Sequence, residues 1–392
     1  MNTIQKNKRA MGWLTTAHLA NDMYAGFLNP IMPFLAAKMG FTIAIATLIM
    51  SVAQVCASLI QPIFGFFADN ILKRVFIFWG LIFGSLFIPL GTNAPNVFLL
   101  TVCVILGNLG GSFFHPQALG FISRFSDRNF VQNMGIFITA GTLGFALGPI
   151  ISGSVVQHFG FEKIPYLSIF GIVIALLMFS FVPKISDKNI VLKHKEFKKS
   201  FSDILSNKNM LILINVSVAK TLMANSCTIL LPFLWKDMGY SPSYIGFALF
   251  GFLLAGGFGS ILSSRIEEKI GSKTVFYISL IATLPLTGLF VLSYRPYPNV
   301  AFAIFVLMGF FAMLAQPVML VMAQRILPDY KSIVSGFING FSWGIVAVAL
   351  TLVGFFAQKF GIAKVVFIVS FLPVLFSYFV RFLPDKVEPS ST

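Results

Sequence analysis

The feature that most constrains this chain is a series of apolar segments, each long enough to cross a bilayer. A helix needs roughly 20 mostly apolar residues to span the hydrocarbon core, and the 392-residue sequence contains twelve such segments. Only 10% of the residues are charged, whereas soluble domains carry about 25%. The sequence therefore predicts an all-α membrane protein with twelve transmembrane helices. The predicted spans are 11–38, 43–68, 75–92, 97–122, 131–159, 162–182, 209–236, 243–264, 274–293, 299–324, 332–358 and 362–383.

The distribution of positive charge predicts the orientation of these helices. If both termini are cytoplasmic, the inner connections and tails contain 21 Lys and Arg residues and the outer connections contain six. Cytoplasmic loops are enriched in Lys and Arg, so we expect both termini inside, in the inner (plasma) membrane. The net charge of +15 then lies along one membrane face, next to anionic lipid, which argues against a nucleic-acid partner.

The two halves of the chain repeat each other. PFLAAKMGF at 33–41 matches PFLWKDMGY at 232–240 with an offset of 199 residues, and further matches follow at neighbouring offsets. We therefore expect a six-helix bundle at 1–182, a cytoplasmic linker at 183–208 and a second six-helix bundle at 209–392.

The linker carries apolar residues at helical spacing among lysines. This pattern predicts a short helix lying on the inner leaflet, although a solvated basic linker remains the alternative. The apolar residues are Phe197, Phe201, Ile204 and Leu205.

Polar residues inside the predicted helices are few, and they share helical faces. In the first span His18, Asn21 and Asp22 follow i, i+3, i+4 spacing, which places them on one face. Adding 199 gives a second polar face in the seventh span, with Lys220 and Thr221. Asp22 and Lys220 are the one acidic and the one basic residue deep within a predicted span. A charge there costs about 2.5–3.5 kcal/mol on insertion scales, so such residues usually face a cavity or a partner.

The fourth and tenth predicted helices supply further polar groups, Asn108, His115 and Gln316. We expect all these side chains to form a substrate and proton pathway near mid-membrane, with Asp22 facing Lys220. Structural alternatives stay open. Asp22 could make a helix–helix hydrogen bond, Lys220 could serve only as its counter-ion, and His115 could bond carbonyls freed by the next residue, a proline.

The duplicated six-helix pattern resembles the major facilitator superfamily. GFFADNILKR at 65–74 is similar to that superfamily's signature between helices 2 and 3. GTLGFALGPIISG at 141–153 resembles a fifth-helix signature of exporters, which physically is a close-packing face with a proline kink. The resemblance implies alternating access, with gating roles for Gly65, Asp69, Lys73, Arg74, Arg124, Gly148 and Pro149.

Two short motifs narrow the resemblance to one branch. HLAND at 18–22 and FFHPQALG at 113–120 resemble the fosmidomycin-resistance (drug-efflux) branch, which pairs H-x-x-x-D in helix 1 with F-H-P-E in helix 4. Gln117 stands where that branch usually has glutamate. A proton role for that acid therefore does not carry over, and Asp22 is left as the intramembrane carboxylate.

The sequence contains no Walker-type loop and no hydrolytic motif, so we expect a protein that is not an enzyme and needs no cofactor or metal. We expect a proton-coupled antiporter that exports a small organic anion or drug, acting as a monomer. Two alternatives remain: a proton-linked importer of an organic acid, siderophore or sugar, and a transporter-like receptor that binds its ligand without moving it.

Overall fold

The structure is a computed structural model that describes residues 3–70, 74–125, 130–184, 201–328, 334 and 337–384. Every regular element within these ranges is helical, as the apolar segments predict. The elements of the first half are α1 Thr3–Ala25, α2 Leu28–Met39, α3 Ile43–Asn70, α4 Arg74–Gly91, α5 Val97–Phe125, α6 Phe130–Phe159, a 3-10 segment at Phe161–Leu167 and α7 Ser168–Phe181.

The second half continues the same helical pattern. Its elements are α8 at 201–206, α9 Lys208–Asp237, α10 Pro242–Ile270, α11 Ser272–Ile281, α12 Thr283–Ser293, α13 Pro298–Leu314, α14 Gln316–Ile326, a π-helical turn at Phe337–Phe341, α15 Ser342–Phe360, α16 Ile362–Val369, α17 Phe371–Ser377 and a final 3-10 turn at Tyr378–Phe382.

Eleven helical stretches among the described residues are long and apolar enough to cross a membrane. The predicted first span corresponds to α1 followed by α2, two helices separated at Gly26 and Phe27. Proline explains this break, because Pro30 has no N–H to bond the carbonyl four residues earlier. The other eleven predicted spans each overlap one of these stretches, several of which are themselves divided into two helical pieces, as at Ala282, Ala315 and Ser370.

Other breaks also precede prolines. The interruption between α13 and α14 falls at Ala315, two residues before Pro317. Since Pro317 leaves the Met313 carbonyl without its usual helical donor, a side chain replaces it, and the hydroxyl of Ser260 donates to this carbonyl at 3.3 Å. Proline therefore interrupts the helix at a point where a side chain of a neighbouring helix can donate to the freed carbonyl.

The helices form two compact units. The first contains Met1–Leu192 with Trp235–Phe250, and the second contains Lys193–Leu234 with Gly251–Thr392. In the first unit, a buried cluster that includes Leu14, Phe114, Phe121 and Phe137 joins α1, α5 and α6. In the second unit the corresponding cluster includes Met210, Phe276, Met319 and Ile338.

The sequence repeat also appears in the contacts within each unit. In the first unit the Arg74 guanidinium donates to the Val182 carbonyl at 2.6 Å, at the end of α7. In the second, the Lys273 ammonium donates to the Arg381 carbonyl at 3.2 Å. Donor and acceptor are both displaced by 199 residues between the units. A basic side chain thus binds the carbonyl end of the last helix in each unit, where the helix dipole favours a cation.

The linker contains a short helix at 201–206, as its apolar spacing predicts, but one of the apolar residues of this helix faces protein. Ile204 in α8 is fully buried and packs in the core of the second unit. The Phe201 ring lies 5.0 Å from the Phe337 ring. Leu205 is 37% exposed, and Phe197 lies outside the described residues. Burial of Ile204 attaches this helix to the second unit.

Candidate functional site

Three ionisable side chains of the first unit meet inside the membrane-spanning part. His18 and Asp22 are one turn apart on α1, and the His18 Nε2 atom lies 3.2 Å from Asp22 Oδ2. His115 on α5 approaches from the other side, with its Nε2 atom 3.5 Å from Asp22 Oδ1. The side chains of His18 and Asp22 are 9% and 19% exposed, and that of His115 is 33% exposed. We call these three residues the His–Asp–His cluster.

A hydrogen bond to the backbone fixes the orientation of His18. Its Nδ1 atom lies 2.8 Å from the Phe137 carbonyl on α6. A carbonyl oxygen only accepts, so Nδ1 carries the proton in this bond. In the neutral imidazole, Nε2 then has only a lone pair, and it faces a carboxylate oxygen, another acceptor. A proton or another cation must lie between His18 and Asp22 for this contact to be favourable.

Glycines on α6 allow the close approach of α1 on which the cluster depends. A Cβ atom at Gly141 would overlap the His18 ring and lie 2.7 Å from Asp22 Oδ2. Cβ atoms at Gly144 and Gly148 would overlap the backbone carbonyls of Leu19 and Met23. The exporter-like glycine motif therefore acts, in this unit, as the packing surface for the helix that carries Asp22.

Other predicted polar residues of the first unit lie around the cluster in different ways. The Asn21 amide donates to Asp22 Oδ1 at 3.0 Å, and its own oxygen is buried with no hydrogen-bond partner among the described residues. Asn108 donates to the Val104 carbonyl of its own helix at 2.9 Å. Asn21 thus contacts the His–Asp–His cluster, whereas the described bond of Asn108 is made within its own helix.

In the second unit, Lys220 is buried in α9 with 2% of its surface exposed. Its ammonium donates to the Ala312 carbonyl of α13 at 3.1 Å, just before the break at Ala315. Thr221 is also buried, and Gln316 is the first residue of α14. Since Asp22 and Lys220 belong to different units, their predicted mutual approach stays a prediction.

The two units share one hydrogen-bond scheme at this level. The His18 imidazole donates to the Phe137 carbonyl, and the Ser217 hydroxyl donates to the Ile338 carbonyl at 3.0 Å. The donors are 199 residues apart and the acceptors 201. The acceptor carbonyl is therefore at an equivalent position in the two units, while the donor is an imidazole in the first and a hydroxyl in the second.

The predicted gating residues are only partly described. Arg74 binds the end of α7, and its guanidinium lies 4.3 Å from the centre of the Phe179 ring. Gly148 packs against the Met23 carbonyl, and the Pro149 ring lies beside Gly26. Lys73 lies outside the described residues, as do the surroundings of Gly65 and the side chains of Asp69 and Arg124.

The His–Asp–His cluster also has the composition of a metal site. One ligand atom from each residue lies within 4.8 Å of the others. Sequence spacing did not suggest this because the third ligand is 93 residues from Asp22 and reaches it only through helix packing. Sequence spacing also did not identify Phe137 or Gly141 as part of the site. Phe137 takes part through its backbone carbonyl, and Gly141 takes part because it has no side chain.

The fold and site define a class of protein. Membrane-spanning helices in two repeated units, with a carboxylate and an ammonium inside them, are the features of a secondary transporter. The sequence profile of the Major Facilitator Superfamily matches residues 14–234 and 216–392. The chain belongs to this family, and it is a multi-pass membrane transporter rather than an enzyme.

Individual relatives agree with this assignment. The fosmidomycin resistance protein of Escherichia coli (strain K12) is 25% identical over 386 residues, which cover 96% of this chain and 93% of the relative. Multidrug resistance protein MdtG of Klebsiella pneumoniae (strain 342) is 23% identical over 269 residues, or 65% and 64% of the two chains. A bacterial homologue of the human lysosomal transporter Spinster, inward-facing and unoccupied, matches with a TM-score of 0.83 at 13% identity over 99% of each chain. This last likeness concerns the fold.

Proposed function

We propose that this transporter is a proton-coupled antiporter that exports a small organic anion or amphiphilic drug by alternating access. The observation that carries the proposal is the contact of the Asp22 carboxylate with two imidazoles inside the membrane-spanning helices. The lone pair of His18 Nε2 faces Asp22, so a proton held between them stabilises the cluster. Loss of this proton would leave two hydrogen-bond acceptors, His18 Nε2 and the Asp22 carboxylate, in contact.

Three neighbouring side chains that can each bind and release a proton suit proton transfer better than an isolated acid does. A proton can pass from Asp22 to either imidazole over 3.2–3.5 Å. His115 is the most exposed member, with a third of its side chain accessible, so it is the group through which protons would enter and leave. Asn21, which donates to Asp22, would hold the carboxylate in position.

The second unit supplies the proposed site for substrate charge. An ammonium has three donors, and one of them is directed to the Ala312 carbonyl. The remaining donors of Lys220 could bind a carboxylate or phosphonate of the substrate, with Thr221 and Gln316 of the same unit as further polar contacts. The names of the relatives favour a drug as cargo, because one confers fosmidomycin resistance and another multidrug resistance.

Further parts of the proposal concern setting and gating. We propose that both termini lie in the cytoplasm, because Lys and Arg concentrate on that side of the inner membrane. We also propose that the protein acts as a monomer, as the resemblance to the family implies. Asp69, Lys73 and Arg124 would act at the inner gate. Gly148 and Pro149 would let the α1–α6 contact shift between states.

The test uses purified protein in proteoliposomes, with fosmidomycin as the first substrate and an imposed pH gradient as the driving force. Asp22→Asn should abolish gradient-driven transport and keep substrate exchange, because the amide cannot release a proton. Asp237→Asn is the matched control, since this acid is exposed at the end of α9 and should leave transport unchanged. Unchanged gradient-driven transport in Asp22→Asn would remove the proton role.

The substrate arm of the test uses Lys220→Ala. Loss of one charge-assisted hydrogen bond to a substrate anion costs about 1.5–3 kcal/mol, or roughly 10- to 150-fold in affinity. Lys236→Ala, at the far end of the same helix, is the control. Equal fosmidomycin binding by the wild type and Lys220→Ala would refute the anion site. Movement of fosmidomycin in the same direction as the protons, towards the side of higher pH, would indicate proton symport and therefore import instead of export.

A further inference from the structure

We propose that His18, Asp22 and His115 form a binding site for a divalent transition-metal ion such as Zn²⁺. Imidazole nitrogens suit zinc, and a set of two histidines and one carboxylate leaves one coordination position open. Magnesium and calcium prefer oxygen ligands, so they are not expected to compete.

The spacing of the ligand atoms fits this ion. Zinc binds nitrogen and carboxylate oxygen at about 2.0–2.2 Å in tetrahedral sites, which separates neighbouring ligand atoms by about 3.4 Å. The His18 Nε2 atom lies 3.2 Å from Asp22 Oδ2, and the His115 Nε2 atom lies 3.5 Å from Asp22 Oδ1. Each imidazole is thus at ligand spacing from its own carboxylate oxygen, and one ligand atom from each of the three residues lies within 4.8 Å of the others. The carboxylate would bind the ion through one or both of these oxygens.

The surroundings of His18 already have the form that metal sites use. A histidine ligand commonly donates its other ring N–H to a carbonyl or carboxylate, which fixes the tautomer and aims the free nitrogen at the ion. His18 does this through Nδ1 and the Phe137 carbonyl at 2.8 Å. Its Nε2 lone pair therefore points at Asp22. The Asn21 amide holds the carboxylate at 3.0 Å in a comparable way.

The ion would reach the site past His115, the most accessible of the three ligands, whose side chain is 33% exposed. The cluster is closed on the side of Gly141, because even a Cβ atom at that position would overlap the His18 ring. Metal binding stands on this geometry alone. Inhibition of transport by the metal rests on the proposed function, because Zn²⁺ would occupy the position of the proton.

The experiment measures Zn²⁺ binding to the purified, chelator-treated protein, prepared without a histidine tag. Calorimetry should give one Zn²⁺ per chain, and Co²⁺ as a substitute should show the absorption spectrum of a tetrahedral site. His115→Gln and Asp22→Asn keep side-chain volume and should each weaken Zn²⁺ binding more than about 100-fold, since changes to the groups that only orient the ligands already cost about 10- to 100-fold. His158→Ala, at an exposed histidine near the end of α6, should leave the affinity unchanged.

The outcomes separate the metal site from the transport proposal. No Zn²⁺ binding by the wild type, or binding that persists in both cluster variants, overturns the metal site even if proton-driven transport is found. Cluster-dependent binding in a protein with no proton-driven transport supports the metal site and contradicts the proposed function. If both are correct, Zn²⁺ should inhibit transport in the wild type, and the inhibition should weaken as the pH falls and protons compete.

Discussion

Gly141 offers the sharpest test of whether the approach of α1 to α6 sets the geometry of the cluster. In Gly141→Ala the new methyl group would overlap the His18 ring and lie 2.7 Å from Asp22 Oδ2. Contacts of a Cβ atom closer than 3.0 Å are essentially never found, and 3.4 Å is ordinary. Asp22 must therefore move by about 0.7 Å, the difference between 3.4 and 2.7 Å, or α1 and α6 must separate.

The expected effect on activity is larger than the effect on stability. Misplacing reacting groups by about 1 Å can reduce a rate about 100-fold, so we expect proton-driven transport to fall by roughly 10- to 100-fold. Overpacking costs about 1–3 kcal/mol, and replacing glycine by alanine in a helix returns about 0.8–1 kcal/mol. The net loss of stability should therefore be at most about 2 kcal/mol, and the protein should still fold.

The matched control is on the same helix. A Cβ atom added at Gly135 would meet no neighbouring atom of the described residues within 4 Å, so Gly135→Ala should keep both transport and stability. Both variants would be compared in proteoliposomes under an imposed pH gradient, with thermal unfolding in detergent. Wild-type transport by Gly141→Ala would refute the argument that this glycine sets the cluster geometry. An equal loss in both variants would assign the effect to helix flexibility instead.

Two further predictions concern contacts that stabilise the fold within each unit. Arg74→Ala should reduce the free energy of unfolding by about 1.5–3 kcal/mol, the value of a hydrogen bond from a charged donor, and should keep the transport rate. Lost transport at an unchanged melting temperature would instead favour a gating role for Arg74. Ile204→Ala should destabilise the protein by about 2–5 kcal/mol, as expected for a buried isoleucine. Leu205→Ala, at a partly exposed neighbour, should have less than half that effect, and equal melting temperatures for these two variants would contradict the docking of α8.

The sequence was sufficient for those aspects of the fold that depend on hydrophobicity and periodicity. Every predicted span contains a helix because each segment is apolar over about 20 residues, a signal that is local in the chain. The breaks were harder to predict, since proline interrupts α1–α2 and α13–α14 but lies inside α5, at Pro116, and inside α6, at Pro149. Whether proline breaks a helix depends on what neighbouring groups bond the freed carbonyl.

The site could be predicted as a set of residues but not as an arrangement. Helical spacing placed His18, Asn21 and Asp22 on one face, and His18 and Asp22 do contact each other. The partner of the His18 ring is a backbone carbonyl of α6, and no pattern of side-chain types identifies a particular carbonyl. The role of Arg74 at the end of α7 was missed for the same reason.

The repeat places the same type of hydrogen bond near a carboxylate, Asp22, in the first unit and near an ammonium, Lys220, in the second. Both units direct a donor from the polar helix to an equivalent carbonyl, at Phe137 and at Ile338. With histidine as the donor, a second ring nitrogen remains, and it can share a proton with Asp22. When Ser217 is the donor, its side chain has no ring nitrogen that could share a proton. The charged group on the same helix is the ammonium of Lys220, which donates to the Ala312 carbonyl near the break between α13 and α14. A Ser217→His change would therefore reproduce the imidazole donor of the first unit without creating a proton site, because Thr221 stands at the position equivalent to Asp22.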